Sequence, residues 1–209
     1  MTGVQTCALP IYMFRFNRGN LAEQDFHQPN HLQKIVSEEY HLIPFQVYGV
    51  GILHPDTWQI YVNPSKSFAF HDGFAKIDRS ADKRSPDQAS LSLRWAKLKK
   101  ETTIDEYMQE IQVQYKRKQK KNKKDRFEIV SIEPAEGLPH KAYLMHSSIR
   151  ANHSVYRSFG KEETILSLQL TTYCDVTKRL VIASIASTPE DFKQKEKMYK
   201  KILFSLTCH

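Results

Sequence analysis

The sequence predicts an α+β fold in which a central, mainly antiparallel sheet packs against two main helices, at about 103–120 and 189–206. Short runs of alternating apolar and polar residues recur along the chain, separated by turn residues, which is typical of strands. Two longer stretches carry an apolar stripe with helical spacing. Each stripe must be covered, and an antiparallel sheet supplies the apolar surface that covers it.

The pattern of residues in the first half of the domain predicts about five strands. We expect ordered structure from about Gln46, where Tyr48, Val50 and Ile52 alternate with their neighbours ahead of a Pro55–Asp56 turn. The dipeptide Asp72–Gly73 is a hairpin signal and predicts a turn between two short strands. The predicted strands are, in order, 46–52, 58–62, 67–71, 74–78 and 90–98, with a charged loop at 80–88.

Both helices have clear start signals. Thr103 and Glu106 have the spacing of a capping box ahead of the first apolar stripe. Thr188 is the predicted N-cap of the second helix, and Pro189 occupies its first position. Four strands are predicted between the helices, at 127–132, 141–149, 164–174 and 180–186, the last two joined by a short turn at 175–178.

The order of these features resembles the Mog1/PsbP/DcrB fold family over about residues 46–206. The matching features are Pro55-x-x-Trp58 ahead of a strand, the helix from Thr103, Gly137 before a hydrophobic strand, the long hairpin at 164–186, and the terminal helix from Pro189. The resemblance implies an αβα sandwich and an accessory or partner-binding role without catalytic residues. A shared fold does not by itself assign a partner or a function.

The 209 residues divide into three parts. Residues 1–11 resemble a translated sequencing adapter and are excluded from the fold. Residues 12–45 are expected to be a poorly ordered lead or the remnant of a truncated segment, and residues 46–209 to be a single domain. The start of the natural chain and any export signal are therefore left open, and the cysteine usage slightly favours the cytoplasm.

No sequence motif predicts a catalytic, cofactor or metal site. Phosphate loops, the metalloprotease helix motif and the nucleophile elbow are missing. With Cys7 assigned to the adapter, Cys174 and Cys208 remain, and their spacing is not that of a zinc or redox motif. The histidines are interpreted as surface or strand-end residues. We therefore expect no cofactor and no enzymatic activity.

A basic run supplies most of the formal net charge of +8. Its seven charges are Lys116, Arg117, Lys118, Lys120, Lys121, Lys123 and Lys124. Removing these seven from the 31 lysines and arginines leaves 24 basic residues against 23 acidic ones. The run is interpreted as a solvated helix end that complements the helix dipole, and alternatively as a contact for nucleic acid or another anionic surface.

A polar connection between two predicted strands is the other candidate binding segment. It contains Arg150, Asn152, His153, Tyr156, Arg157 and Lys161. Such residues are able to bind an anion or an acidic partner, although a solvated hairpin tip has the same composition. Asn152 also begins a glycosylation sequon, which is meaningful only in a secretory setting.

The leading functional hypothesis is a non-enzymatic domain that binds a protein partner through the sheet edge, the polar connection or the basic run. The alternative is binding of nucleic acid or an anionic surface through residues 116–124, and an uncharacterised enzyme is the third hypothesis. No run of eighteen apolar residues is present, so no transmembrane segment is predicted. The identity of the partner and the oligomeric state are not encoded in any motif.

Overall fold

The computed structural model describes residues 40–62, 67–79, 89–98, 102–121, 126–152 and 162–209, all within one compact unit, Tyr40–His209. The described residues form nine strands and two helices. The strands are β1 (Leu42–Val47), β2 (Val50–Pro55), β3 (Trp58–Val62), β4 (Asp72–Arg79), β5 (Ser90–Lys97), β6 (Arg126–Ala135), β7 (Ala142–Asn152), β8 (Glu162–Cys174) and β9 (Arg179–Ser187); the helices are α1 (Ile104–Lys121) and α2 (Pro189–Phe204).

Seven of the strands form one antiparallel sheet in the order β3-β4-β5-β9-β8-β7-β6. The first half of the domain supplies β3 to β5 and the second half supplies β6 to β9. The two halves meet where β5 pairs with β9. The remaining strands, β1 and β2, form a separate antiparallel hairpin.

The main core lies on one face of the large sheet. Leu93 of β5, Ala183 of β9 and Leu170 of β8 are neighbours in the register and are fully buried. Helix α2 covers this face and contacts β8, β9 and the β1–β2 hairpin through β2. Its buried apolar side chains are Phe192, Tyr199, Ile202 and Leu203.

Helix α1 lies on the opposite face. Tyr143 of β7 stands between two residues of the main core, so its side chain points away from that core. The Tyr143 hydroxyl donates to a carboxylate oxygen of Asp105 in the first turn of α1, at 2.6 Å. Near the other end of α1, Tyr115 stacks on Phe127 of β6, with ring centroids 4.2 Å apart. The two helices flank the sheet, which confirms the αβα sandwich.

The predicted strand at 46–52 is wrong, because the chain reverses within it. Tyr48 and Gly49 have φ values of 49° and 77° and form a two-residue turn between β1 and β2. Positive φ at both central residues is the geometry of hairpin turns that match the twist of the strands. The described structure also includes strand residues ahead of Gln46, since β1 starts at Leu42.

The predicted hairpin turn at Asp72–Gly73 is also wrong, since both residues begin β4. The bend lies just before them, where the Ala69 N–H donates to the Asp72 carbonyl at 2.9 Å. Gly73 is required for a different reason. A Cβ there would lie 2.0 Å from Cζ2 of Trp95, so the glycine allows the indole to lie against the strand.

The predicted helix starts are confirmed. The Thr103 N–H donates to a carboxylate oxygen of Glu106 at 3.0 Å, and the Glu106 N–H donates to the Thr103 hydroxyl at 3.2 Å. The Thr188 hydroxyl accepts from the Asp191 N–H. Within the described part of the chain, no helix is long and apolar enough to cross a membrane.

Candidate functional site

The two predicted binding segments lie at the same end of the sandwich, where described. Arg150 near the end of β7 is exposed, and so are Lys116 and Arg117 in the last turns of α1. Tyr115 stacks on Phe127, whose cross-strand partner is the neighbour of Arg150. The backbone of Lys118, Lys120 and Lys121 is in α1 and that of Asn152 ends β7; His153, Tyr156, Arg157, Lys161, Lys123 and Lys124 lie outside the described residues. Their roles stay predictions.

One outer edge of the sheet is apolar. Strand β3 has β4 as its strand partner and no other among the described residues. Ile60, Tyr61 and Val62 follow one another and are 42% to 45% exposed. Consecutive residues of a strand point to opposite faces, so apolar side chains are exposed on both faces of this edge. Charged side chains and prolines, which normally protect an edge strand, are missing from β3.

The other outer edge has these protective features. Strand β6 contains Glu128, Glu133 and Pro134, and its register with β7 shifts between Ile129 and Ser131. A bulge, a proline and charges each make an edge a poor template for another strand. The two edges of the sheet therefore differ in their capacity to accept a further strand.

A cluster of metal-ligating residues lies elsewhere, where the C-terminal tail meets the sheet. It contains His140, Cys174, Cys208 and His209. Cys174 is the last residue of β8 and His140 lies shortly before β7. The tail is held in place one residue earlier, because Thr207 and Gly51 exchange two backbone hydrogen bonds, of 3.0 and 2.8 Å.

One potential ligand atom from each residue lies within 4.8 Å of every other. Nε2 of His140 and Nδ1 of His209 are 3.3 Å apart. Sγ of Cys174 is 3.9 Å from the His140 nitrogen and 3.4 Å from the His209 nitrogen. Sγ of Cys208 is 3.7 Å from the His209 nitrogen.

The surroundings of the cluster orient its members. Nδ1 of His140 lies 3.5 Å from a carboxylate oxygen of Asp175, which leaves Nε2 facing the cluster. The Thr177 N–H donates to Sγ of Cys174 at 3.5 Å. Cys174 is 0% and Cys208 4% exposed, whereas His209 is exposed. The sulfur atoms are thus enclosed and the site opens towards solvent on the histidine side.

The two thiols titrate differently. Burial acts to raise the pKa of Cys174, but hydrogen bonds involving Thr177, Cys208 and His209 outweigh it and lower that pKa to about 6. Burial, together with hydrogen bonding and the charge of Cys174, raises the pKa of Cys208 to about 12. The cluster therefore accommodates one thiolate near neutral pH, and a cation placed among the sulfur atoms would favour a second.

Arg179 is fully buried beside the cluster. Its guanidinium donates to the backbone carbonyls of Phe70 at 2.8 Å, Tyr48 at 2.9 Å and Cys208 at 3.1 Å. It also lies 4.3 Å from the centre of the Phe70 ring. One side chain thereby joins the β1–β2 turn, the segment before β4 and the C-terminal tail.

Sequence reasoning missed this cluster. His140 and Cys174 are separated by 34 residues, and His140 and His209 by 69, so no motif spacing connects them. The adjacent pair Cys208 and His209 is a local signal, but two residues alone do not indicate a metal site. The expectation of no metal rested on spacing along the chain, which does not report ligands that are brought together by the fold.

Comparison with known proteins identifies the fold. No family model matches this sequence, and no curated protein matches it. The solution structure of cyanobacterial PsbP (CyanoP) from Synechocystis sp. PCC 6803 is similar, with a TM-score of 0.58 and 10% sequence identity over 86% of this chain and 98% of that chain.

Two further solved structures are similar at lower scores. The Ran-binding protein Mog1p of Saccharomyces cerevisiae has a TM-score of 0.49 and 8% identity, covering 81% of this chain and 96% of its own. Protein PA94 of Pseudomonas aeruginosa, of unknown function, has a TM-score of 0.43 and 15% identity, covering 79% and 96%. The similarity to CyanoP carries the assignment of the architecture: the chain has the Mog1/PsbP-like fold.

Proposed function

We propose that this protein is a non-enzymatic accessory domain that binds a protein partner, and that an extended segment of the partner pairs with β3. The observation that carries the proposal is the apolar edge formed by Ile60, Tyr61 and Val62. An added strand would bond to the outward N–H and C=O groups of β3 and would cover these side chains. Strand addition of this kind draws affinity from main-chain hydrogen bonds and specificity from alternate side chains.

The contrast with β6 supports this edge as the binding surface. An edge with no protective feature is a liability for aggregation unless something covers it. Since β6 is protected by a bulge, charges and a proline, the sequence protects one edge of the sheet and leaves the other apolar. Exposed apolar surface of this kind marks interaction sites in soluble proteins.

Burial of the thiols supports a binding role over catalysis by cysteine. The His140 ring lies between Sγ of Cys174 and the carboxylate of Asp175. This is the order in which a catalytic nucleophile, its base and an orienting carboxylate would be arranged. The sulfur of Cys174, however, belongs to a side chain with 0% exposure, so a substrate carbonyl has no approach to it. The enclosed sulfur is better suited to coordinating a bound ligand than to attacking a substrate.

Lysine at both Ile60 and Val62 is expected to abolish recovery of the partner. The two charges would have to be buried under an added strand, which opposes binding. In the free domain both positions are about half exposed, so the free energy of unfolding should change by less than about 0.5 kcal/mol. The measurement is recovery of partners by tagged protein from cells that express it, with circular dichroism as the test of folding.

The matched control is Val130→Lys, on the opposite edge and 65% exposed. It should leave recovery unchanged. Equal recovery with I60K/V62K and with the unmodified protein would refute the proposal. A dimer of the purified protein that dissociates in I60K/V62K would identify the occupant of β3 as a second copy instead.

Binding of polyanions is the second candidate function, favoured by the joint placement of the α1 end and Arg150 at one end of the sandwich. Glutamine at Lys116, Arg117 and Lys118 should then lower the salt concentration that elutes the protein from heparin, since each phosphate or sulfate contact adds to the salt dependence. Glutamine at Lys193, Lys197 and Lys201 on α2 removes the same charge and should have a smaller effect. Equal shifts of the eluting salt concentration for both triple variants would show that heparin binding depends on net charge alone and not on this surface.

A further inference from the structure

The geometry points to a structural Zn²⁺ site formed by His140, Cys174, Cys208 and His209, which fastens the C-terminal tail to the end of the β8–β9 hairpin. The juxtaposition of the four ligand atoms carries this inference. Two of the ligands are the last two residues of the chain, Cys208 and His209, and the other two belong to the sheet and the segment before β7. The site is distinct from the β3 edge and does not depend on its function.

The distances between ligand atoms match a tetrahedral zinc site. With bonds of about 2.3 Å to sulfur and about 2.0–2.1 Å to nitrogen, ligand atoms lie about 3.3 Å apart for two nitrogens and about 3.6 Å apart for sulfur and nitrogen. The two histidine nitrogens are 3.3 Å apart. Three of the four sulfur–nitrogen distances are 3.4, 3.7 and 3.9 Å, and the remaining pairs of ligand atoms lie within 4.8 Å. The shorter distances already match those around Zn²⁺, so the ion would fit after a modest movement of the side chains.

The chemistry of the donors selects the metal and the type of site. Two sulfur and two nitrogen ligands in a tetrahedron favour Zn²⁺ over Mg²⁺ or Ca²⁺, which prefer oxygen. Four protein ligands complete the coordination, as in structural zinc sites, whereas catalytic sites keep one position for water or substrate. Asp175 on Nδ1 of His140 is the outer carboxylate that commonly orients a zinc-bound histidine.

The charges and protons of the proposed zinc binding can be accounted for in full. Zn²⁺ forms bonds to two thiolate sulfurs and two neutral imidazole nitrogens, and every thiol proton still present leaves to water. Two thiolates cancel the charge of the ion, so the filled site is neutral. A neutral centre is compatible with the enclosed sulfurs and with the Arg179 guanidinium that contacts the Cys208 carbonyl.

The site gives the tail a structural role. Thr207 pairs with Gly51 of β2, and the Cys208 carbonyl accepts from Arg179. Coordination by Cys208 and His209 would link these contacts to the sheet through Cys174. Zinc would thus stabilise the docking of the β1–β2 hairpin as well as the tail itself, because both are joined to residues of the same segment.

Metal content of the full chain tests the inference. The protein is produced without a polyhistidine tag, purified in a reducing buffer without chelator, and analysed by mass spectrometry of metals and of the intact chain. We expect about one zinc per chain, and a fall to below a tenth of that in Cys174→Ser and in Cys208→Ser. Co²⁺ in place of zinc should give the strong visible bands of a tetrahedral site and a sulfur-to-cobalt charge-transfer band.

His209→Ala keeps the test decisive where a cysteine variant does not fold, since this side chain is exposed. It should bind zinc at least tenfold more weakly, and removing zinc by chelation should lower the thermal midpoint of the unmodified protein more than that of the variant. His71→Ala, at an exposed histidine outside the cluster, is the control and should behave like the unmodified chain. No metal in the purified protein together with no thiolate band for Co²⁺ would overturn the inference. So would a disulfide between the two cysteines under reducing conditions, and bound iron would overturn the choice of metal.

Discussion

Replacing Arg179 by methionine should lower the free energy of unfolding by about 3 to 5 kcal/mol. The substitution keeps the aliphatic volume but removes the only described side-chain donor to the partly buried carbonyls of Tyr48 and Phe70. The buried Cys208 carbonyl loses its shortest bond and keeps longer contacts, at 3.5 Å, with the Thr177 hydroxyl and the Cys174 thiol. An unsatisfied buried carbonyl costs about 1 to 3 kcal/mol, and removal of a buried charge offsets part of the sum. Urea denaturation followed by circular dichroism, with chelator present so that metal does not contribute, measures the change.

The neighbouring residue provides the control. Lys178 is exposed, so Lys178→Met removes the same charge at the surface and should change stability by less than about 0.5 kcal/mol. If R179M unfolds within about 1 kcal/mol of the unmodified protein, the three carbonyls are not held as described. Loss of the folded state altogether would agree with the expectation only if the unmodified domain has a stability near the lower end of the usual range of about 5 to 15 kcal/mol.

Replacing Gly73 by alanine should cost about 3 kcal/mol, because overpacking at a fully buried ring forces the ring or the strand to move. The added Cβ would lie 2.0 Å from Cζ2 and 2.3 Å from Cε2 of Trp95. The Trp95 indole N–H donates to the Ala69 carbonyl at 2.8 Å, and that bond would be lost if the ring turned away. Near-ultraviolet circular dichroism should report the displaced indole, and denaturation the lost stability.

Gly137→Ala separates steric overlap from backbone strain. Gly137 has a φ of +83°, and a Cβ added there would meet no atom within 4 Å beyond its chain neighbours, so alanine suffers the unfavourable φ alone. That strain costs about 1 kcal/mol. A loss for G73A no greater than that for G137A, with an unchanged tryptophan signal, would contradict the close approach of Gly73 to Trp95.

The helices could be predicted from the sequence because their signals are local. The capping bonds of Thr103 with Glu106, and of Thr188 with Asp191, join residues three apart in the chain. Each apolar stripe then requires a surface to cover it, and alternating strands are the available surface. These constraints were enough to predict the α+β sandwich and most of its strands.

The turns could not be predicted in the same way. Gly49 permits a turn, but tyrosine is not a usual residue for positive φ at the first central position, which Tyr48 occupies. The alternating pattern around it therefore predicts one continuous strand where the chain in fact reverses. Asp72–Gly73 has the composition of a turn, yet Gly73 is set by the indole of Trp95, 22 positions later in the chain. A glycine in the sequence shows only that a turn or a close approach is allowed at that position. Which of the two occurs depends on residues that are distant in the chain.

By itself, the sequence determined the fold class, the two helices, and the absence of any motif that joins its cysteines and histidines. The tertiary structure alone decided that β3 is an apolar outer edge and that His140, Cys174, Cys208 and His209 meet. The physical reason is range. Caps and periodicity act over a few residues and can be read along the chain, whereas edge position and ligand convergence arise only when strand order and the docking of the tail place distant residues side by side.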